Sequence, residues 1–131
     1  MDLAINLAKR SHCIKAQVGS VLVKDTRIIS IGYNGPPAGT HNCDEEFPEH
    51  GCPRDSKGSC SLALHAEQNA ILYAVKNGST IDGSTLYVTL SPCISCERTT
   101  SRNSLPLAYS GVYGAFYAPS GWHVHRYYGI Y

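Results

Sequence analysis

Apolar and polar positions alternate clearly along the first part of this chain and only weakly at its end. Between Asp2 and Arg10, the apolar residues Leu3, Ile5, Leu7 and Ala8 fall among polar ones, predicting a short amphipathic helix. Gly19 to Val23 and Arg27 to Tyr33 are β-branched runs separated by Lys24-Asp25-Thr26, which reads as a hairpin. From Asn34 to Ser61 the chain is rich in Gly, Pro, Cys and charge without periodicity, long for a connection with no structure of its own. Leu62 to Asn77 then predicts a central helix, with Ala66, Ala70, Ile71, Ala74 and Val75 apolar and Gly78 as its stop. Thr85 to Leu90 predicts a third strand. Glu97 to Ser104 has almost no apolar face, so a helix there is expected from context alone, ended by Pro106. Gly111 to Tyr117 reads as a fourth strand and Gly121 to Tyr131 as a short fifth element or a tail.

Chemistry concentrates at the start of the central helix and after the third strand. His65, Cys93 and Cys96 are three ligands for a borderline-soft divalent metal, and a three-ligand tetrahedral site keeps one position for water. Glu67 sits two residues beyond His65, badly placed to share its metal on a helix but able to lie beside that water. Pro92 suits the first position of a helix, which would put both cysteines in its opening turn, where unpaired backbone N–H groups favour thiolate. Alone, Cys93-x-x-Cys96 fits half a zinc ribbon or a redox pair equally well; the His-x-Glu partner favours a catalytic site.

Composition narrows the field. At 131 residues one domain, residues 1–131, is the expectation, and a net charge of +1 without a Lys/Arg run gives no footprint for a polymeric nucleic acid. No basic n-region followed by an apolar stretch opens the sequence and no apolar run reaches membrane length, so a cytoplasmic protein is expected. The six cysteines have metal-type spacings, and a reducing compartment favours thiolates over disulfides.

Three blocks together resemble the deoxycytidylate (dCMP) deaminase branch of the cytidine deaminase-like superfamily, between about Ser11 and Cys96. They are Val18-Gly19 with Lys24-Asp25 and Arg27-Ile28-Ile29, then Gly32-Tyr33-Asn34-Gly35-Pro36-Pro37-Ala38-Gly39, then HAEQNAI with SPCISC. The H-x-E and P-C-x-x-C pair in this order is the zinc deaminase signature. The resemblance implies an α/β chain with a three-layer α/β/α fold, a mixed sheet of about five strands and, commonly, a hexamer. It implies hydrolytic deamination of dCMP to dUMP and ammonia, supplying thymidylate synthesis, with activation by dCTP and inhibition by dTTP, Mg2+ accompanying the effector. His65, Cys93 and Cys96 would bind Zn2+ and Glu67 would carry protons. The N–H of Ala66 and the carbonyl of Ser91 would hold the cytosine edge, Asn34 the sugar and Lys15 the phosphate.

Cys13, Cys43, Cys52 and Cys60 fall where relatives carry cysteine and could close a second zinc site, with His41 or His50 as variants. Gly32 and Gly35 bracket a loop suited to act as a hinge for regulation, and Tyr73 and Lys76 share a helix face that could meet a neighbouring subunit. Two further readings stay open: deamination of cytidine, dCTP or guanine, and a catalytically silent zinc- or nucleotide-binding module. After Cys96 the sequence departs from the family pattern, with Asn103-Ser104-Leu105-Pro106 in place of the usual turn into a strand.

Overall fold

The computed structural model of the chain describes residues 1–49, 52–102, 107–109 and 125–126. The β1–β2 hairpin (Gly19–Lys24 and Arg27–Tyr33) is joined by Asp25 and Thr26, both at positive φ. Two such residues match the right-handed strand twist, as in a type I′ turn. β1 also pairs antiparallel with β3 (Thr85–Val88), and β3 pairs parallel with β4 (Leu107–Tyr109), which pairs parallel with β5 (His125–Arg126). The result is a five-stranded mixed sheet in the order β2-β1-β3-β4-β5.

Side-chain alternation along a strand places helices on both faces of this sheet. Val21 packs with Ala4 and Leu7 of α1 (Asp2–Ala8), joined by Val23 and Tyr87. Leu22, Leu86 and Val88 point the other way and pack with Ala70, Ile71 and Ala74 of α3 (Ala66–Lys76). Two glycines let the layers close: a Cβ on Gly19 would lie 2.0 Å from the Ala4 carbonyl oxygen, and one on Gly32 2.2 Å from that of Ala66. Gly32 is thus fixed in a paired strand against α3, which gives it a packing role and removes the hinge freedom expected of it.

Serines extend this seam. Ser20 and Ser30, which interrupt the apolar runs of β1 and β2, donate to the carbonyls of Ala66 and Ala70 at 2.7 and 2.6 Å. They tie the opening turns of α3 to the sheet, so the axial position of Ala66 and Glu67 is set by hydrogen bonds as well as by apolar packing.

α3 starts at Ala66 rather than Leu62, because Leu64 is held in an extended bridge to Gly35 and His65 takes the N-cap conformation, with ψ at 154°. Val75 is 56% exposed, so the apolar face of α3 is narrower than the sequence implies. β3 ends at Val88, and α4 (Ile94–Arg102) forms where context predicted it. Among the described residues of the long connection α2 (Cys43–Glu46) is the one helix, its start marked by Asn42 N–H donating to Glu45 at 3.0 Å. The predicted strand Gly111 to Tyr117 lies outside the described residues, as does most of Gly121 to Tyr131. Among the described residues no helix is long and apolar enough to cross a membrane.

Candidate metal centre and cleft

Two helix starts meet at the expected ligands. His65 is the N-cap of α3, and its backbone N–H donates to the Gln68 side chain at 3.0 Å, a link that fixes the entry into the helix. Cys93 stands directly before α4, and its Sγ accepts the Cys96 N–H at 3.5 Å as a cap would. Pro92 therefore lies outside the helix rather than at its first position, and Cys96 alone of the two cysteines lies within the opening turn.

Cys93 Sγ and Cys96 Sγ lie 3.4 and 3.3 Å from His65 Nδ1, and the three donor atoms all fall within 4.8 Å of one another. A thiolate and an imidazole on one tetrahedral zinc, at ordinary bond lengths, would be about 3.6 Å apart. The donor set and its spacing therefore fit zinc. Cys96 is fully buried while Cys93 is exposed, so the centre is closed behind and open in front.

Burial at the centre favours the neutral forms of its acids. Glu67 is 4% exposed, and burial pushes its carboxyl above the usual range, with its own backbone N–H, His65 and Cys96 pulling the other way. Burial likewise raises the Cys96 thiol, and Glu67 and Cys93 beside it raise it further. A divalent ion would reverse that balance by stabilising the thiolates.

In front of the centre is a cleft of about 200 Å³ lined by the four predicted substrate residues, Asn34, Ala66, Ser91 and Lys15, together with His65 and Glu67. Asn34 is held rigidly, its Oδ1 accepting the Val18 N–H and its Nδ2 donating to the Ala16 carbonyl, both at 2.8 Å. That leaves one N–H and one lone pair of its amide for a ligand. Cys13, Ser59, Cys60 and Ala63 also line the cleft and were not expected there; their sequence context carries no periodic or motif signal that points to a wall.

The second thiol group forms in part. Cys43, Cys52 and Cys60 bring their sulfurs within 4.8 Å of one another, with Cys43 and Cys60 3.9 Å apart, close to the roughly 3.8 Å of two thiolates on one tetrahedral zinc. Cys13 is not in this group; it stands on the cleft wall, which corrects the four-cysteine set. His50 lies outside the described residues, and His41 is not among the clustered side chains. Burial and the neighbouring thiols push Cys43 up to about 12.

A wider second cleft, of about 530 Å³, opens along the Gly32–Thr40 segment, with Tyr73 and Asn69 on its helical side. Gly32, Gly35 and Tyr73 thus share one concavity. Lys76 is exposed but is not part of its lining.

A mixed sheet between helices, with His-x-Glu at one helix start and Cys-x-x-Cys at the next, defines a zinc-binding domain of the cytidine deaminase-like fold. The family model described as the cytidine and deoxycytidylate deaminase zinc-binding region matches residues 1–105, and the chain belongs to that family. Among its relatives, the deoxycytidylate deaminase of Enterobacteria phage T2 is 34% identical over 147 residues, covering 86% of this chain and 78% of that protein. The deoxycytidylate deaminase of Schizosaccharomyces pombe is 44% identical over 104 residues, 74% of this chain and 31% of the yeast protein. The fold is similar to that of the dCMP deaminase from cyanophage S-TIM5 in complex with dCMP and dUMP. The TM-score is 0.70 at 32% identity, over 84% of this chain and 76% of that one.

Proposed function

We propose that the chain hydrolyses dCMP to dUMP and ammonia, with Zn2+ held by His65 Nδ1 and the sulfurs of Cys93 and Cys96. The observation that carries this reading is the convergence of those donors, both sulfurs 3.3–3.4 Å from His65 Nδ1, beside the buried Glu67 carboxylate at the cleft. Bound there, zinc supplies Lewis acidity that makes water a nucleophile near neutral pH.

Glu67 does the proton work. It takes a proton from the attacking water as the C4–O bond forms, and delivers it to N3 of the cytosine ring. It then takes the remaining proton of the new hydroxyl to the amine as the C4–N bond breaks and ammonia leaves. Burial suits this task, because a carboxyl with a raised proton affinity can hold a proton between the two deliveries. The Ala66 N–H and Ser91 carbonyl hold the cytosine edge, Asn34 contacts the sugar and Lys15 the 5′-phosphate; all four residues line the cleft.

We assign a second, structural Zn2+ to Cys43, Cys52 and Cys60, on the strength of their sulfur spacing. The second cleft suits a nucleotide effector, dCTP as activator and dTTP as inhibitor with Mg2+. Asn34 lines both clefts and is the contact through which occupancy of one could be felt in the other. A homo-oligomer, a hexamer by resemblance, is supported by the exposed apolar residues Leu72, Tyr73 and Val75 on α3. A cytoplasmic site of action, supplying dUMP for thymidylate synthesis, completes the reading.

A substrate panel tests it: cytidine, deoxycytidine, CMP, dCMP and dCTP, each followed for ammonia release. Turnover greatest with dCMP is the expected result. Preference for a nucleoside or a free base would place the chain elsewhere among the deaminases, and no turnover of any would leave a silent zinc-binding module.

A further inference from the structure

Between Pro53 and Ser61 the chain forms a tightly self-bonded hairpin. Arg54 and Cys60 are bridged, the Pro53 carbonyl accepts both the Ser61 N–H and its hydroxyl, and Asp55 N–H donates to the Ser59 carbonyl at 2.8 Å. Asp55 Oδ1 accepts the N–H groups of Lys57 and Ser59, both at 2.9 Å, and Gly58 closes the turn at φ +76°. On the returning limb, Ser59 and Cys60 form part of the wall of the cleft that holds Glu67.

Two cations meet on this hairpin. Lys15 Nζ and Arg54 Nη1 both donate to the Gly58 carbonyl, at 2.8 and 3.1 Å. Those two lengths place the donor nitrogens within about 6 Å of each other, close enough for the charges to act on one small anion. Neither cation is in an ion pair among the described residues. The nearby carboxylate, Asp55, spends one oxygen on the hairpin's own backbone. A carbonyl satisfies one of the three donors of the ammonium and one of the five of the guanidinium, so most of the donor capacity of both head groups is left over. Lys15 lines the cleft and Arg54 stands beside it on the hairpin; an ammonium and a guanidinium so paired match a phosphomonoester dianion, which accepts charge-assisted hydrogen bonds from several directions.

We propose that Arg54 joins Lys15 in a two-cation clamp for the 5′-phosphate, and that the clamp makes the site select nucleotides over nucleosides. The proposal rests on the deaminase reading above and adds Arg54 to it. The hairpin presents the clamp, and the Cys52 and Cys60 thiols at its two ends fasten it to Cys43.

The test is calorimetric titration of the zinc-loaded chain with dUMP and with deoxyuridine, which differ only in the phosphate. Wild-type protein is expected to bind dUMP far more tightly. Arg54→Ala should lower that ratio by about 10- to 100-fold, the range for a hydrogen bond to a charged group, while leaving deoxyuridine affinity within about twofold. Arg54→Lys should recover part of the ratio, and Lys57→Ala, the same charge change on the same hairpin, should leave it intact. An unchanged ratio in Arg54→Ala, or equal weakening of both ligands, would overturn the clamp. Ammonia release from dCMP, measured separately, judges the deaminase reading: a chain that keeps the ratio but releases no ammonia retains the clamp and loses that reading.

Discussion

The His65, Cys93 and Cys96 group rests on the starts of α3 and α4, whereas Cys43, Cys52 and Cys60 are drawn together from a connection that holds the short helix Cys43–Glu46. In the first group the backbone fixes the ligands before any metal arrives: strand serines pin α3, and Cys93 caps α4. In the second the sulfurs come from a connection held by local bonds of its own, the Asn42 cap of α2 and the Pro53–Ser61 hairpin. The first group mixes nitrogen and sulfur, leaves Cys93 exposed and has a carboxylate beside it; the second is all sulfur, with Cys43 and Cys52 buried. The first arrangement suits an ion presented to a ligand, and the second would suit an ion that staples the chain.

That contrast can be broken most sharply at Glu67. Glu67→Gln should keep its zinc and its thermal midpoint but lose at least 10²–10⁴-fold in turnover of dCMP, since it preserves shape while removing the proton carrier. Metal analysis alongside a dCMP rate assay checks it; a rate within tenfold of wild type would remove Glu67 from the mechanism.

Substitutions in the two thiol groups should then separate. Cys93→Ser should abolish turnover with a small change in midpoint. Cys43→Ser should release one zinc, lower the midpoint by several degrees and retain turnover to within about tenfold at low temperature. Equal zinc content in Cys43→Ser and wild type would mean that the second group holds no ion.

Zinc uptake by the stripped chain should be pH-dependent. Burial holds the Cys96 and Cys43 thiols protonated well above their usual range, Cys43 at about 12, so binding must displace protons. Affinity should therefore rise with pH throughout the neutral range, by up to about tenfold per unit for each proton released. Flat affinity between pH 6 and pH 8 in a competition titration with a chromophoric chelator would show thiolates already free, contrary to the buried geometry.

Smaller effects should follow at the seam and the surface. Ser20→Ala removes a buried donor to the Ala66 carbonyl and should cost about 1 kcal/mol in urea denaturation, with a few-fold loss of turnover as Ala66 and Glu67 shift. His12→Ala breaks only the exposed contact to Asp44 at 2.9 Å and should leave both midpoint and rate unchanged.

Much of this was legible in the chain. The hairpin, the first helix and the central helix announced themselves through period and turn residues, and the paired motifs named three donors whose side chains cluster in the structure. Element ends were less legible: nothing local tells that Leu64 is held in a bridge rather than a helix, because its partner Gly35 comes from distant sequence. Spacing likewise could not sort the cysteines. Cys13 stands on the cleft wall, its N–H bonded to the Ser11 hydroxyl, while the three-way meeting of the others depends on how the connection folds back. Gly32 was misread as a hinge because a glycine demanded by close helix packing and one demanded by flexibility are identical in sequence. α2, four residues long, is too short to show a period and was not expected.

The central claim is that this chain uses zinc at His65, Cys93 and Cys96 to hydrolyse dCMP. Its most direct test is to incubate dCMP with the zinc-loaded chain and with the chain stripped of metal, measuring dUMP and ammonia together. The account predicts equal amounts of the two products from the loaded chain, none from the stripped chain, and recovery on adding zinc. Intact dCMP in the presence of the fully loaded chain, or product formation that survives metal removal, would contradict it.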